Sequence, residues 1–425
     1  MNPIRPLADE YVTVYESPDP ARIYCYSPGL ASLPSGRLVA TLDLGGPGVA
    51  ELPGVKASRG GEDRWQGKVF TSDDRGASWT FRTDFPFLHA RPFSAGGSLY
   101  VLGHAGDLTI MRSDDGGESW SAPARLTEGQ SWHQAPCNVH YANGCVYLVM
   151  ERRTRFEITG WPVGELAPVL MRGPVGADLT DPSAWTFASE LPFHEAVDEA
   201  ALSGTAIPFY ETDPREGVMV APNRHCAPTG WLEANVVQFV DPDHVWFDPA
   251  GRTFYLWMRA HTGGTGYAAI AKVVEAGPAP GEGAMTTMLE QAPSGRPVVY
   301  VPCPGGQMKF HILYDAPTKL YWLLSTQATD SMTRPDRLPP DRYNLPNNER
   351  RRLGLHFSRN GVDWCFAGLV AVGPADRASR NYAAMAIDGD DLHVLSRSGD
   401  TRAATPHDGN LITFHTVRAF RELVY

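Results

Sequence analysis

"SDDGGESW", residues 113–120, repeats "SDDRGASW", residues 72–79, about forty residues further on. Both are tight polar turns that end in tryptophan. In such a turn an Asp side chain bonds the turn's own amides and glycine takes the positive φ. The tryptophan then fills the gap to a neighbouring unit. Looser copies stand at 168–187, "PVLMRGPVGADLTDPSAWTF", and at 353–368, "LGLHFSRNGVDWCFAG". Each copy follows a strand, and that strand follows a hairpin. Six hairpins run along the chain: 22–45, 87–106, 132–152, 231–260, 308–326 and 380–398. Their second strands are aliphatic–aromatic runs such as "LYVLG", "VYLVM", "FYLWM", "LYWLL" and "LHVLS". Hairpin, third strand, decorated turn and fourth strand make a four-stranded antiparallel unit. Six such units of about 40–70 residues predict an all-β protein, a six-bladed β-propeller occupying residues 1–425 as one domain. "EYVTVYES", residues 10–17, is the expected outer strand of the last blade and closes the ring. Residues 190–230 and 333–351 read as long loops, the former overhanging one face.

The composition narrows the function classes. The chain has 425 residues, 43% of them hydrophobic, with 42 glycines and 36 prolines spread along it. That suits a large core, many turns and few long helices. The formal net charge is -11, and no basic stripe is present to neutralise phosphates, so nucleic acid is not an expected partner. A small anionic ligand needs only two or three local arginines and stays open. No stretch approaches the length of an apolar membrane span. The start, "MNPIRPLADEYVTVYE", lacks the apolar core of a secretory signal, which points to a cytoplasmic protein or to one whose leader has been removed. The six cysteines are scattered without a CxxC pair, so reduced, buried thiols are expected. Asn143-Gly144 as a two-residue turn sets Cys137 opposite Met150, not Cys145. No cofactor is expected: "DPDH" at 241–244 reads as a turn rather than a metal site, and "GGTG" at 263–266 lacks the βαβ setting of a dinucleotide loop.

Ser72–Trp79 and Ser113–Trp120 match S-x-D-x-G-x-x-W in full and so resemble the Asp-box repeat of the sialidase (neuraminidase) superfamily. The later segments, "GGQMKFHILYD" to "HDGNLITFHTVRAFRELVY", are similar to uncharacterised bacterial sialidase-like proteins. The resemblance implies a propeller in which these turns lie away from the catalytic face. It also implies a site assembled from inner strands. The family's first arginine, in Arg-Ile-Pro, corresponds to Arg22 of "RIY", where the proline is missing. Its glutamate and second arginine bracket one hairpin and correspond to Glu233 and Arg259. Its tyrosine nucleophile corresponds to Tyr382, with Arg380 beside it. Where the family has its acid/base aspartate, "FLHARPF" offers His89 and Arg91. In the third arginine's blade stands Lys309.

The residues themselves support a funnel without the family. Each hairpin's first strand opens on polar side chains: Arg22 and Tyr24, His89 and Arg91, His133 and Gln134, Glu233 and Asn235, Lys309 and His311, Arg380 and Tyr382. Buried polar groups are costly unless paired or used, so six polar openings read as the wall of one wet, cationic funnel. Arg22, Arg91, Arg259, Lys309, Arg380 and Asn235 are the expected binding residues for an anionic oligosaccharide or polysaccharide, since guanidinium forks take carboxylates in pairs. "HDGN", residues 407–410, reads either as a turn or as a segment from which His407 reaches the funnel. Three functions remain open. A glycoside hydrolase would use Tyr382 as nucleophile, Glu233 as its base and His89 as proton donor, with His133 a further catalytic candidate. A lyase for uronic-acid glycans would use His and Tyr for proton transfer, with Arg or Lys on the carboxylate. A non-catalytic glycan-binding propeller would bind without turnover.

Overall fold

The computed structural model describes residues 5–59, 62–159, 161–197, 219–221, 224–225, 229–262, 264–338, 349–375 and 377–425. Six antiparallel sheets of four or five strands form a six-bladed β-propeller. The hydrophobic second strands of the hairpins lie second from the axis in every blade. They are buried on both faces, which is why they read as continuous apolar runs. In the first blade Tyr24–Ser32 is innermost, followed by Leu38–Gly45, Glu62–Ser72 and Thr80–Phe85. The second is Leu88–Ala95, Ser98–Ala105, Asp107–Ser113 and Ala124–Arg125. The fourth opens with Gly230–Val237 and Thr253–His261, the fifth with His311–Asp315 and Leu320–Gln327.

In the sixth blade Arg380–Asp388, Asp391–Ser398 and Leu411–Val417 are joined by Val12–Glu16, with Val12 opposite Phe414. The two ends of the chain therefore share one sheet. Among the described residues the only α-helix is the four-residue Phe193–Ala196. Large parts of the two expected long loops, 198–218 and 339–348, lie outside the described residues, as does Cys226. The remaining cysteines are unpaired, and all but the half-buried Cys365 are buried.

The third blade departs from the expected hairpin. Its inner edge is split into Trp132–His133 and His140–Ala142, both paired to Cys145–Arg153. Pro136 has no N–H for the ladder in between. Gln134 and Asn138 instead direct their amides across the axis. Asn138 Nδ2 donates to the carbonyls of Val236 (2.8 Å) and Ile312 (3.0 Å), tying three blades together.

The turns behave as their sequence requires. Ser72 Oγ donates to Asp74 Oδ1 and accepts the Gly76 N–H, both at 2.8 Å, while Asp74 also takes the Ser78 N–H at 2.8 Å. Ser113, Asp115, Gly117 and Ser119 reproduce this pattern. In the shorter copy Ser358 Oγ accepts the Gly361 N–H at 2.9 Å, and Asn360 replaces the aspartate. Trp79 packs edge-on against Phe414 of the last blade, centroids 5.3 Å apart, so the first turn braces the closure of the ring.

Gly76→Ala tests that brace. Gly76 has φ +88, and an added Cβ would stand 2.0 Å from Phe414 Cε1. Left-handed strain of about 1–2 kcal/mol and overpacking of about 1–3 kcal/mol combine in the expected destabilisation. Gly36→Ala, with φ +86 and open space around the new methyl, carries the strain alone. Urea midpoints should place Gly76→Ala well below Gly36→Ala, and equal losses would remove the brace.

Candidate functional site

Four inner strands carry the same backbone irregularity near their openings. Register slips between Tyr26 and Gly29, Leu88 and Arg91, Leu232 and Asn235, and Asn381 and Ala384. Inside these bulges Ser27, His89, Glu233 and Tyr382 have φ values of 49°, 56°, 58° and 51°. Left-handed backbone at a non-glycine residue costs of order 1–3 kcal/mol and persists where the surroundings enforce it. A bulge re-aims its side chain. Glu233 and Tyr382, from opposite parts of the chain, are thereby brought into contact.

The Tyr382 hydroxyl donates to Glu233 Oε1 at 2.6 Å and accepts from Arg259 Nη1 at 2.6 Å. Arg259 Nη1 also reaches Glu233 Oε2 at 3.3 Å. All three are buried or nearly so at the base of a cavity of about 730 Å³. Burial, helped by the Glu233 charge, pushes the Tyr382 phenol up to about 12 against the pull of Arg259 and Arg350. The phenol thus holds its proton, which it donates to Glu233 in a hydrogen bond.

Two further guanidiniums flank the ring. Arg350 and Arg397 lie 5.3 Å and 5.2 Å from the Tyr382 ring centroid. Among the described residues neither has a carboxylate within ion-pair distance, and the Nε of each is buried without a partner. Burial, then the Arg397 charge, lowers Arg350 to about 9. Among the described residues Glu233 is the one carboxylate lining the cavity, against Arg153, Arg259, Arg350 and Arg397. Arg153 is already engaged by Glu165. Two buried cations without counterions, beside a third, leave a place for an anion.

The opposite wall is imidazole and indole. His89 Nδ1 meets His104 Nε2 at 2.9 Å, and His133 lies 5.1 Å from His89, centroid to centroid. Burial and the neighbouring His104 hold His89 well below the usual imidazole range. Beneath it Asp43 accepts the His89 N–H at 2.9 Å, and burial raises its carboxyl to about 7. Trp65, Trp132 and Trp161 line the cavity with Tyr26. His407 lines it too, its Nδ1 2.7 Å from Asp408. Among the described residues no group of three or more His, Cys, Asp or Glu is arranged to hold a metal.

Of the residues expected at the site, Tyr382, Glu233, Arg259, His89, His133 and His407 line the same cavity. The others do not. Arg22 is at the surface, paired with the exposed Glu51. Arg380 donates to the carbonyls of Ser379 (2.7 Å) and Gly399 (2.9 Å) and covers Tyr11. Arg91 is buried, spanning the carbonyls of Asn138 and Val149. Lys309 donates to Ala383 O at 2.6 Å behind the site, and burial lowers it to about 8. Asn235 joins blades through Ile312 N–H and Phe310 O. Tyr24 bonds Ala21 O; Gln134 and His311 are buried bridges. The strand pleat explains the division: at each bulge one side chain turns to the mouth and its neighbours turn to the ladder or the next blade.

Neither Arg350 nor Arg397 stands at the polar opening of a hairpin, the feature that marks most of the candidates. Arg350 precedes the third strand of the fifth blade, Arg352–Ser358, and Arg397 sits on the second strand of the sixth. A charged residue inside the apolar run "LHVLSRS" was the available signal for Arg397.

No protein-family model matches the chain, and no curated protein sequence does. Solved structures do. A Hadza microbial sialidase aligns over 96% of this chain and 68% of its own at 15% identity, TM-score 0.55. A Trypanosoma rangeli sialidase, in complex with 2,3-difluorosialic acid as a covalent intermediate, aligns over 99% of this chain and 60% of its own at 11% identity, TM-score 0.53. A Penicillium chrysogenum α-L-arabinanase, complexed with arabinobiose, aligns over 98% and 99% at 11% identity, TM-score 0.50. This chain has the sialidase-like six-bladed propeller fold that these glycosidases share.

Proposed function

We propose that this propeller is an exo-acting glycoside hydrolase for an anionic glycan whose terminal sugar carries a carboxylate, a sialic or uronic acid. The observation that carries the reading is the Tyr382 hydroxyl held at 2.6 Å by both Glu233 and Arg259. Tyr382 attacks the anomeric carbon while Glu233 takes its proton. A neutral phenol approaches a carbon beside a carboxylate without the repulsion an anionic nucleophile meets. Arg259, Arg350 and Arg397 receive the carboxylate, and the tryptophans of the opposite wall offer stacking faces to the sugars. The similarity to structures of glycosidases supports the reaction class, and the guanidinium cluster supports the charge of the sugar.

A second reading has its own support. The neutral His89 across the cavity from a guanidinium cluster suits a lyase, in which imidazole removes the proton next to a uronate carboxylate. The experiment is a screen of sialylated and uronic-acid oligosaccharides with mass analysis of the products. Hydrolysis adds one water across the cleaved bond; elimination adds none and leaves an unsaturated, ultraviolet-absorbing uronate. Products without added water assign the lyase. Binding without any product rejects both and leaves a carbohydrate-binding protein.

A further inference from the structure

In a ring of six, the third blade stands across the funnel from the sixth, which carries Tyr382. There a carboxylate backs an imidazole. His133 lines the cavity, and Glu151, its register partner on Cys145–Arg153, is wholly buried behind it. His133 Nδ1 lies 3.6 Å from Glu151 Oε2, and both atoms are buried without a hydrogen-bond partner. Orphaned buried polar atoms are costly, and a shift of a few tenths of an ångström would satisfy both at once. The other oxygen, Glu151 Oε1, accepts the N–H of Ala234 at 3.1 Å. Ala234 follows Glu233 inside the bulge, so one buried carboxylate touches both the backbone of the base and a second titratable wall of the cavity. Trp161 stands edge-on to His133 at 5.2 Å between centroids. The charged and titratable groups facing His133 are Glu151, His89 and His104.

We propose that His133 is the proton donor to the leaving oxygen and that Glu151 is its positioning residue, fixing Nδ1–H so that Nε2 faces the sugar. The proposal rests on the hydrolase reading. Displacement by Tyr382 requires the leaving oxygen on the opposite face of the anomeric carbon, and the third blade is on that side. His89, the other candidate, meets His104 instead of a carboxylate and is held neutral by burial and its neighbours.

The protons balance. As Tyr382 Oη bonds the anomeric carbon, its proton passes to Glu233, the glycosidic C–O bond breaks, and the imidazolium Nε2–H of His133 goes to the leaving oxygen. In the second step water gives a proton to His133 Nε2 and its oxygen bonds the anomeric carbon. The Tyr382–carbon bond breaks, and Glu233 returns the proton to Tyr382. The exchange restores the starting state.

The test compares two leaving groups on the full chain: the natural glycan and a para-nitrophenyl glycoside of the same carboxylated sugar, whose phenolate leaves without a proton. His133→Gln should lower kcat/KM, which reports the first step, by about 10²–10⁴-fold on the glycan and by less than about tenfold on the aryl glycoside, whose kcat falls because the second step still lacks its base. Glu151→Gln keeps an acceptor for Ala234 N–H. It should displace the alkaline limb of the glycan pH profile with little change in KM, and Glu151→Asp should restore part of that limb. Tyr382→Phe must lose both substrates. Equal losses of kcat/KM on both substrates for His133→Gln, or an unmoved pH profile for Glu151→Gln, would overturn the proposal while the hydrolase reading stands. A Tyr382→Phe variant that retains turnover would overturn the hydrolase reading, and this proposal with it.

Discussion

Tyr382→Phe is expected to lower kcat on a carboxylated glycoside by at least about 10⁴-fold, with KM nearly unchanged. The substitution removes one oxygen and leaves the ring that Arg350 and Arg397 cover at 5.3 Å and 5.2 Å. Glu233 keeps Arg259 as a partner, so its buried charge is not orphaned. The fold should therefore hold, with a thermal midpoint close to that of the parent protein. The loss falls on the chemical step because the phenol oxygen is the atom that must bond carbon. A fluorinated glycosyl fluoride of the same sugar, which slows the second step, should leave a mass adduct on the peptide containing Tyr382. The variant should carry none. Turnover retained by Tyr382→Phe, or an adduct on another peptide, would remove the nucleophile from the reading.

Arg350→Gln and Arg397→Gln are each expected to lower kcat/KM on the carboxylated substrate by about 10–150-fold, the worth of one charge-assisted hydrogen bond of about 1.5–3 kcal/mol. Their effects should not add, because both guanidiniums act on one carboxylate beside one ring. Stability should move the other way. Arg350 is buried with no carboxylate within ion-pair distance among the described residues, and its burial and the Arg397 charge already lower it to about 9. Removing an uncompensated buried charge relieves that cost, so thermal midpoints should rise or stay level, the usual tension between a strained site and a stable fold. The control is the carboxamide analogue of the substrate. The parent protein should discriminate strongly against it, whereas the variants should not. Equal losses on both analogues would show that these side chains do not read the carboxylate.

The site was half legible. Tyr382, Glu233, His89 and His133 stood out because polar residues at the openings of otherwise apolar strands must be used or satisfied, and Arg259 through the resemblance to the sialidase superfamily. The same rule pointed to Arg380, Lys309, Asn235 and Arg91, which are satisfied by backbone carbonyls and amides around the axis instead. Polarity marks that a buried group needs a partner; it does not say whether that partner is a ligand or a main-chain group on the next blade. Arg22 failed for a simpler reason: Glu51, close in the fold, holds it at the surface. Glu151 was not singled out because it follows directly on "VYLVM", residues 146–150, a run that reads as core.

Local order alone determined the propeller. The Ser–Asp–Gly–Trp turns bond within eight residues, and the hairpins pair neighbours in the chain, so their chemistry is present in the sequence wherever the fold places them. The catalytic-type contact is of another kind. Tyr382 and Glu233 are 149 residues apart, and each faces the funnel through a bulge with positive φ at a non-glycine residue. No local preference asks for that conformation. It exists because the closed ring of blades enforces it, and with it the convergence of three guanidiniums on one phenol. Tertiary packing, which supplies the energy that local sequence cannot, decided which polar side chains share the mouth and which are spent holding the blades together.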